Sequence, residues 1–322
     1  MKWLVTGGAG YIGTHVVRAL LAVGEDVVVL DDLSTGARER VPEGVPLVIG
    51  SVLDRGVLDE VFRGHAVDGV VHIAAKKQVP ESVSRPLYYY EENVEGLRTL
   101  LAAMVAAEVT RIVFSSSAAV YGMPDVDLVD EDTPCLPINP YGESKLVGEW
   151  MIGATARAHG MSYAALRYFN VAGAGAPELA DAGVFNLVPM VLEKLTADQP
   201  PVIFGDDYET PDGTCVRDFI HVVDLAEAHV AATRRLAADP DARLVLNVGR
   251  GEGTSVREMV ELIREVTGLR SRTPELRPRR AGDPARVVAS ADRIGAELGW
   301  KARLDTPDMV ESAWAGWRAQ HG

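Results

Sequence analysis

Lys2-Trp3-Leu4-Val5-Thr6-Gly7-Gly8-Ala9-Gly10-Tyr11-Ile12-Gly13 decides the architecture of this 322-residue chain. A short β-favouring run meets a cluster of glycines. Apolar residues then recur at helical spacing at Ile12, Val16, Leu20 and Val23. The stretch therefore reads as strand, tight turn and helix. Gly7, Gly10 and Gly13 let the backbone turn sharply and approach a bound pyrophosphate, whose charge rests on the helix N-terminus. The spacing is G-x-x-G-x-x-G rather than the commoner G-x-G-x-x-G, and a glycine run alone fits any tight turn.

Context gives the run its meaning. The next β-like run, 26–30, leads into Asp31-Asp32, where a carboxylate can accept hydrogen bonds from an adenosine ribose and repel a 2′-phosphate. That favours NAD over NADP. Further β-like runs at 46–52, 69–75 and 111–116 alternate with helical patterns, as in a parallel sheet covered on both faces. A long helical segment at 141–159 and a strand at 162–168 follow.

Beyond about residue 172 the regularity weakens, and Gly, Pro and Asp cluster at 172–183, 200–201 and 205–213. Short strands at 202–204 and 244–248 and helices at 223–236 and 255–266 are expected there. The fold class is α/β: a Rossmann-type doubly wound parallel sheet with a smaller C-terminal α/β substrate-binding lobe. The expected division is 1–171, with interleaved later segments, for the dinucleotide and 172–322 mainly for substrate.

Thirty-two basic against 46 acidic side chains give a net charge of −14, which repels phosphate backbones and anionic lipid. Neither nucleic acid nor membrane is an expected partner. A few local arginines can still build a positive pocket for a small anion. Cys135 and Cys215 form no close ligand pair, so no metal site is expected, and so few thiols suit a reducing compartment. No apolar stretch reaches membrane-spanning length and no signal-like segment precedes Trp3, so the chain is expected in the cytoplasm.

Ser115-Ser116-Ser117 closes one strand, and Tyr141-Gly142-Glu143-Ser144-Lys145 follows further on. Tyr141 and Lys145, four apart, share a helix face. A lysine ammonium and an oxidised nicotinamide would both lower the phenol pKa from about 10, making it a general base for a sugar hydroxyl. Ser117 would hold that hydroxyl. Y-x-x-x-K alone is common by chance. Joined to the glycine turn, the strand-end acid and the serine strand end, it resembles the extended short-chain dehydrogenase/reductase superfamily.

Within that superfamily the chain closely resembles UDP-glucose 4-epimerases over nearly its whole length. The likeness runs through Leu4-Val5-Thr6-Gly7-Gly8, Asp31-Asp32-Leu33, residues 83–96, residues 114–122 and Arg167-Tyr168-Phe169-Asn170. It continues through 203–208 and the especially specific Asp212-Gly213-Thr214-Cys215-Val216-Arg217-Asp218-Phe219-Ile220-His221-Val222. The resemblance implies an isomerase that oxidises C4 of a UDP-sugar with NAD, lets the 4-keto sugar turn over, and returns the hydride to its other face. It makes Tyr141 the base, Lys145 the nicotinamide-ribose ligand and Ser117 the partner of the reacting hydroxyl.

By the same resemblance the cofactor touches Gly7, Gly10, Tyr11, Ile12 and Gly13, then Asp31, Asp32, Ser34 and Gly36. Ser51, at the adenine, and Val52, Ile73, Ala74 and Ala75 are implied against the cofactor as well. Lys77, Asn93 and Tyr168 are implied on the nicotinamide side, with Lys77 also near substrate, and Ser115 and Val171 are implied against the cofactor too. Asn170, Asn186, Arg217, Arg280 and Asp283 would grip the UDP group, with Val202 and Phe204 against uracil, and Phe169, Leu187 and Val287 are also implied against the substrate. Arginine's planar fork matches phosphate oxygens, which supports Arg217 and Arg280. Helices around 93–107 and 141–159 pair two subunits in this family, so a homodimer is expected; the apolar run Leu97, Leu100, Leu101 and Met104 suits an interface or a core.

Three positions depart from the family pattern. Gly50-Ser51 replaces Gly-Asp, which weakens the expected hold on adenine; Ala75 replaces a glycine in Ala74-Ala75-Lys76-Lys77. Val287 stands where epimerases that exclude N-acetylated sugars tend to carry tyrosine, so UDP-N-acetylglucosamine is an expected second substrate. A 4,6-dehydratase would need a proton-transferring pair after Ser117, where this chain has Ala118-Ala119. A reductase would draw on NADPH, against Asp31. A non-catalytic NAD sensor typically loses the tyrosine or lysine, and both are present.

Overall fold

The computed structural model describes every residue of the chain except Ala281. Its first part runs β1 (Lys2–Thr6), α1 (Tyr11–Ala22), β2 (Asp26–Asp31), β3 (Leu47–Ile49), α2 (Arg55–His65) and β4 (Gly69–His72). Next come α3 (Val79–Ser84), α4 (Pro86–Tyr89), a π-helical turn at Tyr90–Glu95, and α5 (Gly96–Ala106). β5 (Arg111–Ser117), α6 (Pro140–His159), β6 (Ser162–Tyr168) and β7 (Asn170–Ala172) follow. The later elements begin with α7 (Leu187–Thr196), β8 (Val202–Phe204), β9 (Val216–His221), α8 (Val222–Ala238) and β10 (Arg243–Val248). They close with β11 (Gly253–Ser255), α9 (Val256–Thr267), β12 (Glu275–Arg277), β13 (Arg286–Val287), α10 (Asp292–Leu298) and α11 (Thr306–His321).

Seven parallel strands form the main sheet in the order β10-β6-β5-β4-β1-β2-β3. The chain winds outward in both directions from β1, so the order reverses between β1 and β4. Ligands of such sheets bind in the crevice at the carboxyl ends of the strands flanking that reversal. Here those ends are Thr6 and His72, tied by a 2.7 Å bond between Thr6 Oγ1 and His72 Nδ1. Val16, Val17 and Leu20 of α1 pack with Leu225 and Val230 of α8 on one sheet face. Leu58 of α2, Ile152 of α6 and Leu97, Leu100, Leu101 and Met104 of α5 cover the other. Those four α5 residues are 0–3% exposed, so the run serves the core and not an interface.

Two expected strands are shorter in the structure. The run expected at 46–52 keeps only Leu47–Ile49, because the backbone turns at Ser51, whose hydroxyl accepts from Leu53 N at 3.1 Å. The run at 69–75 ends at His72, because Ile73 N and Ala74 N both donate to Thr6 O and bend the chain over the end of β1.

After β6 a four-stranded sheet gathers β11, β9 and β13, with β7 on β9, and β8 pairs with β12. Helices α7, α9 and α11 bury Val191, Leu192, Met259, Ile263, Met309 and Trp317 against it. Asp218 of β9 is fully buried and accepts from Arg250 N, Gly251 N and Ala289 N, fastening β9 to two loops. Among the described residues no helix is long and apolar enough to cross a membrane.

Candidate active site

The glycine turn sits at the reversal point. Gly7 has φ +72°, and a Cβ there would lie 2.8 Å from Ala74 N. At Gly13 a Cβ would stand 2.0 Å from Gly7 O and 2.7 Å from Gly8 Cα, so α1 meets the turn only without a side chain. Gly10 precedes α1 with no side-chain cap, leaving first-turn N–H groups for an anion. Tyr11 OH donates to Gly173 O at 2.6 Å and Ile12 packs into the core, so these two offer the cradle only backbone.

At the end of β2, Asp31 is 6% exposed; its Oδ2 accepts from Ala9 N and its Oδ1 from Leu33 N, both at 2.9 Å. Burial pushes its carboxyl up while those two N–H groups pull it down. Each oxygen keeps a further lone pair for a ribose hydroxyl. A Cβ at Gly36 would lie 2.9 Å from Asp31 Oδ1, so glycine there lets the loop pass the carboxylate. Asp32 accepts from both the amide and the hydroxyl of Ser34. Val52 is buried against Gly96.

Of the paired lysines, Lys77 is exposed. Lys76 is the one directed at the β2 loop: its Nζ donates to Ser34 Oγ at 3.0 Å and lies 3.8 Å from Asp32 and 3.9 Å from Glu92. The sequence reading passed over Lys76; the doubled lysine was its only signal. Ile73, Ala74 and Ala75 line the same strap, which Asn93 holds by accepting from Lys76 N at 2.8 Å and donating to Lys76 O at 3.0 Å. Asn93 also donates to Ser144 Oγ at 3.0 Å, bracing the strap to α6.

Asn139 caps α6 by accepting from Gly142 N at 2.9 Å, and Pro140 starts the helix, which fixes Tyr141 in its first turn. A Cβ at Gly142 would lie 2.5 Å from Ala119 O, and one at Gly148 would lie 2.7 Å from the Phe114 ring. Those glycines bring α6 down onto the end of β5. Lys145 Nζ donates to Ser115 O at 2.8 Å and lies 5.1 Å from the Phe114 ring centre and 5.9 Å from that of Tyr141. Burial pushes the Lys145 ammonium down to about 7.

The Tyr141 phenol is also buried, and burial raises its pKa; the Ser117 hydroxyl beside it acts in the opposite direction. Burial, the larger of these two effects, sets the direction of the Tyr141 shift, opposite to the acidification expected from Lys145 and a bound nicotinamide. Ser117 Oγ accepts from Ala119 N at 3.2 Å. Ser115 Oγ meets His229 Nε2 at 3.2 Å, and His229 Nδ1 lies 2.9 Å from Leu225 O. Nδ1 must then carry the proton, so Nε2 accepts from Ser115. Tyr168, which faces Ser117 in the β5–β6 register, is raised by burial first and by neighbouring Tyr141 second.

The second lobe brings Arg217, Asp283 and Val287 together. Arg217 Nη1 donates to Val216 O at 2.9 Å, its Nη2 lies 3.9 Å from Asp283, and Val287 pairs with it between β13 and β9. Val287 is buried in a cluster with Phe169. The Arg280 guanidinium stands 3.8 Å over the Phe204 ring. Asn186 donates to Asp181 at 2.8 Å and precedes Leu187, the first residue of α7. Asn170 and Val171 lie on β7 and Val202 on β8. Among the described residues no group of three or more His, Cys, Asp or Glu is placed to hold a metal ion.

Comparison with known proteins agrees with this geometry. Residues 3–249 match the NAD dependent epimerase/dehydratase family. A UDP-glucose 4-epimerase of Azospirillum brasilense is 47% identical over 319 residues, which span 98% of this chain and 91% of that one. The structure of UDP-glucose 4-epimerase from Bifidobacterium longum in complex with NAD+ and UDP superposes with a TM-score of 0.92 at 38% identity, covering 100% and 99% of the two chains. The UDP-Glc/GlcNAc 4-epimerase of Campylobacter jejuni gives 0.87 at 36% identity, with 99% of each chain covered. The glycine turn, the strand-end acid and the Ser-Tyr-Lys centre thus stand on a fold shared with these epimerases, and the chain belongs to the NAD dependent epimerase/dehydratase family, among its UDP-glucose 4-epimerases.

Proposed function

We propose that the protein interconverts UDP-glucose and UDP-galactose, with NAD seated across the β1–β4 reversal. The convergence of Ser117, Tyr141 and Lys145 at the same end of the sheet as the glycine turn carries this reading. When bound, NAD supplies the acceptor and later donor of one hydride at sugar C4. The turn at Gly7, Gly10 and Gly13 cradles its pyrophosphate, and Asp31, Asp32, Ser34 and Gly36 border the ribose. Ser51 and Val52 lie on the adenine side, with Ile73, Ala74 and Ala75 flanking. Lys77, Asn93, Ser115, Tyr168 and Val171 surround the nicotinamide end.

Tyr141 removes the C4 hydroxyl proton as that carbon is oxidised and restores it on reduction. Ser117 hydrogen-bonds the C4 oxygen throughout, and Lys145 holds the nicotinamide ribose. Arg217, Arg280, Asn170, Asn186 and Asp283 grip the UDP group, with Phe169 and Leu187 beside it and Val202 and Phe204 against uracil. Firm holding of the nucleotide leaves the 4-keto sugar free to turn over, an instance of remote binding energy supporting reaction. Val287, a small aliphatic residue, leaves room for an acetamido group, so the substrate range includes UDP-N-acetylglucosamine.

The protein acts as a cytoplasmic homodimer in this reading. Free Cys135 and Cys215 suit a reducing compartment, and exposed Trp150 on α6 (64%) and Leu87 on α4 (81%) suit a subunit contact. The test is NMR of purified protein with each of four UDP-sugars and no added cofactor. Interconversion at C4 is expected for both sugar pairs. Tyr141→Phe is expected to lower turnover by about 10²–10⁴-fold. Unchanged conversion by that variant would reject Tyr141 as the base.

A further inference from the structure

Beneath the reaction centre lies a buried ionic network that the proposed chemistry does not use. Glu149 is on the face of α6 that carries Lys145 and Tyr141, one turn and two turns earlier. Arg167 Nε donates to Glu149 Oε1 at 2.9 Å and Nη2 to Oε2 at 2.6 Å, a two-pronged pair with both residues under 9% exposed. Ser116 Oγ donates to the same Oε1 at 2.5 Å. Arg167 Nη1 reaches Tyr121 OH at 3.0 Å and Glu131 O at 3.3 Å. Tyr121 OH in turn donates to Asn247 Oδ1 at 2.7 Å, and Asn247 Nδ2 to Val129 O at 2.8 Å.

Two of its members adjoin residues of the reaction centre. Ser116 lies between Ser115 and Ser117, and Arg167 precedes Tyr168. Ser116 and Arg167 face each other across β5 and β6, and the next pair in register is Ser117 and Tyr168. Glu149 thereby locks α6 to both strands at the level of the chemistry. A hydrophobic pair of similar volume would hold helix to sheet as well or better, because burying two charges is costly. What a fork-to-carboxylate pair adds is direction: it admits one register and one rotation of the helix.

We propose that Glu149 and Arg167 are positioning residues, which fix Tyr141 and Lys145 against Ser117 and Tyr168 without touching substrate. The proposal rests on the epimerase reading above. Moving the phenol by even about 1 Å costs on the order of 100-fold in rate.

The test pairs Glu149→Leu with Arg167→Met, which removes both charges and leaves apolar bulk. The double variant is expected to melt within about 5 °C of wild type, a stability change near 1–2 kcal/mol. Its kcat is expected to fall about 10–100-fold, with KM for UDP-galactose and bound NAD changed less than about twofold. Glu149→Ala alone should lower both melting temperature and kcat. Recovery of kcat together with melting temperature in the double variant overturns the proposal and leaves the pair a scaffold only. If the double variant does not fold, Ser116→Ala decides: wild-type melting with kcat reduced at least about threefold supports positioning, and unchanged kcat overturns it. Wild-type protein that converts none of the UDP-sugars sinks the activity itself, which separates that failure from this one.

Discussion

Replacing Lys145 with methionine is expected to stabilise the protein while stopping its chemistry. The lysine is 3% exposed, and among the described residues no carboxylate pairs with its ammonium. One hydrogen bond to Ser115 O at 2.8 Å and the Phe114 ring 5.1 Å away are its compensation. Burial pushes it down from 10.5 to about 7. An unfolded chain keeps that proton up to about pH 10.5, whereas the folded chain releases it near 7. Between those values the unfolded state binds more protons, so this group's contribution makes stability rise with pH across the window. Below it the charged form is paid for in full.

At about 1.36 kcal/mol per pKa unit, the shift sets a ceiling near 5 kcal/mol. Losing the hydrogen bond returns about 1 kcal/mol, and an unbranched methionine fills most of the vacated volume. The expected gain for Lys145→Met is then about 2–4 kcal/mol near pH 6.5, shrinking towards zero by about pH 10.5. Urea unfolding of both proteins, stripped of dinucleotide, at several pH values reads the difference directly and cancels other titrating groups. Turnover should fall by about 10²–10⁴-fold, a trade of stability against function. A variant less stable than wild type at every pH, or a difference that does not shrink as pH rises, refutes the reasoning.

Gly13→Ala places a methyl 2.0 Å from Gly7 O, so the turn must open. Purified protein should then carry at least about 10-fold less NAD, by absorbance of the released dinucleotide, with about 1–3 kcal/mol lost to overpacking; full NAD content would show that the turn does not cradle it. Ser51→Asp offers the adenine amino group a charged acceptor in place of a hydroxyl already engaged with Leu53 N. NAD release, followed by fluorescence after dilution, should slow by about 5–10-fold. Equal or faster release removes Ser51 from the adenine site.

What the sequence disclosed was whatever is local along the chain. The strand, glycine turn and helix at 2–22 are written in spacing alone, as are the four-residue step from Tyr141 to Lys145 and the acid closing β2. Strand ends were less legible, because β4 stops at His72 through hydrogen bonds from Ile73 N and Ala74 N to Thr6 O, far away in sequence. Fate was illegible too. Leu97, Leu100, Leu101 and Met104 have the same pattern whether they face a core or a partner, and only the packed α5 shows that they are core. Lys76 and Lys77 are indistinguishable as letters; contact with Ser34 separates them. The direction of the Tyr141 shift also depends on burial, which no spacing encodes.

Helix α6 explains why such features occur together. Chemistry requires a lysine that is out of water and close to a phenol, and such a lysine has no ion-pair partner and destabilises the fold. An apolar contact would leave a helix carrying that strain free to slide or rotate until the ammonium found solvent. One turn on, Glu149 is held from two strands by Arg167 and Ser116, and sliding would break three short hydrogen bonds in a dry interior. The glycines at 142 and 148 press the helix close enough for both arrangements to form. The satisfied charge is thus best understood as the restraint on the unsatisfied one: the register that pairs Glu149 is the register that keeps Lys145 buried beside Tyr141.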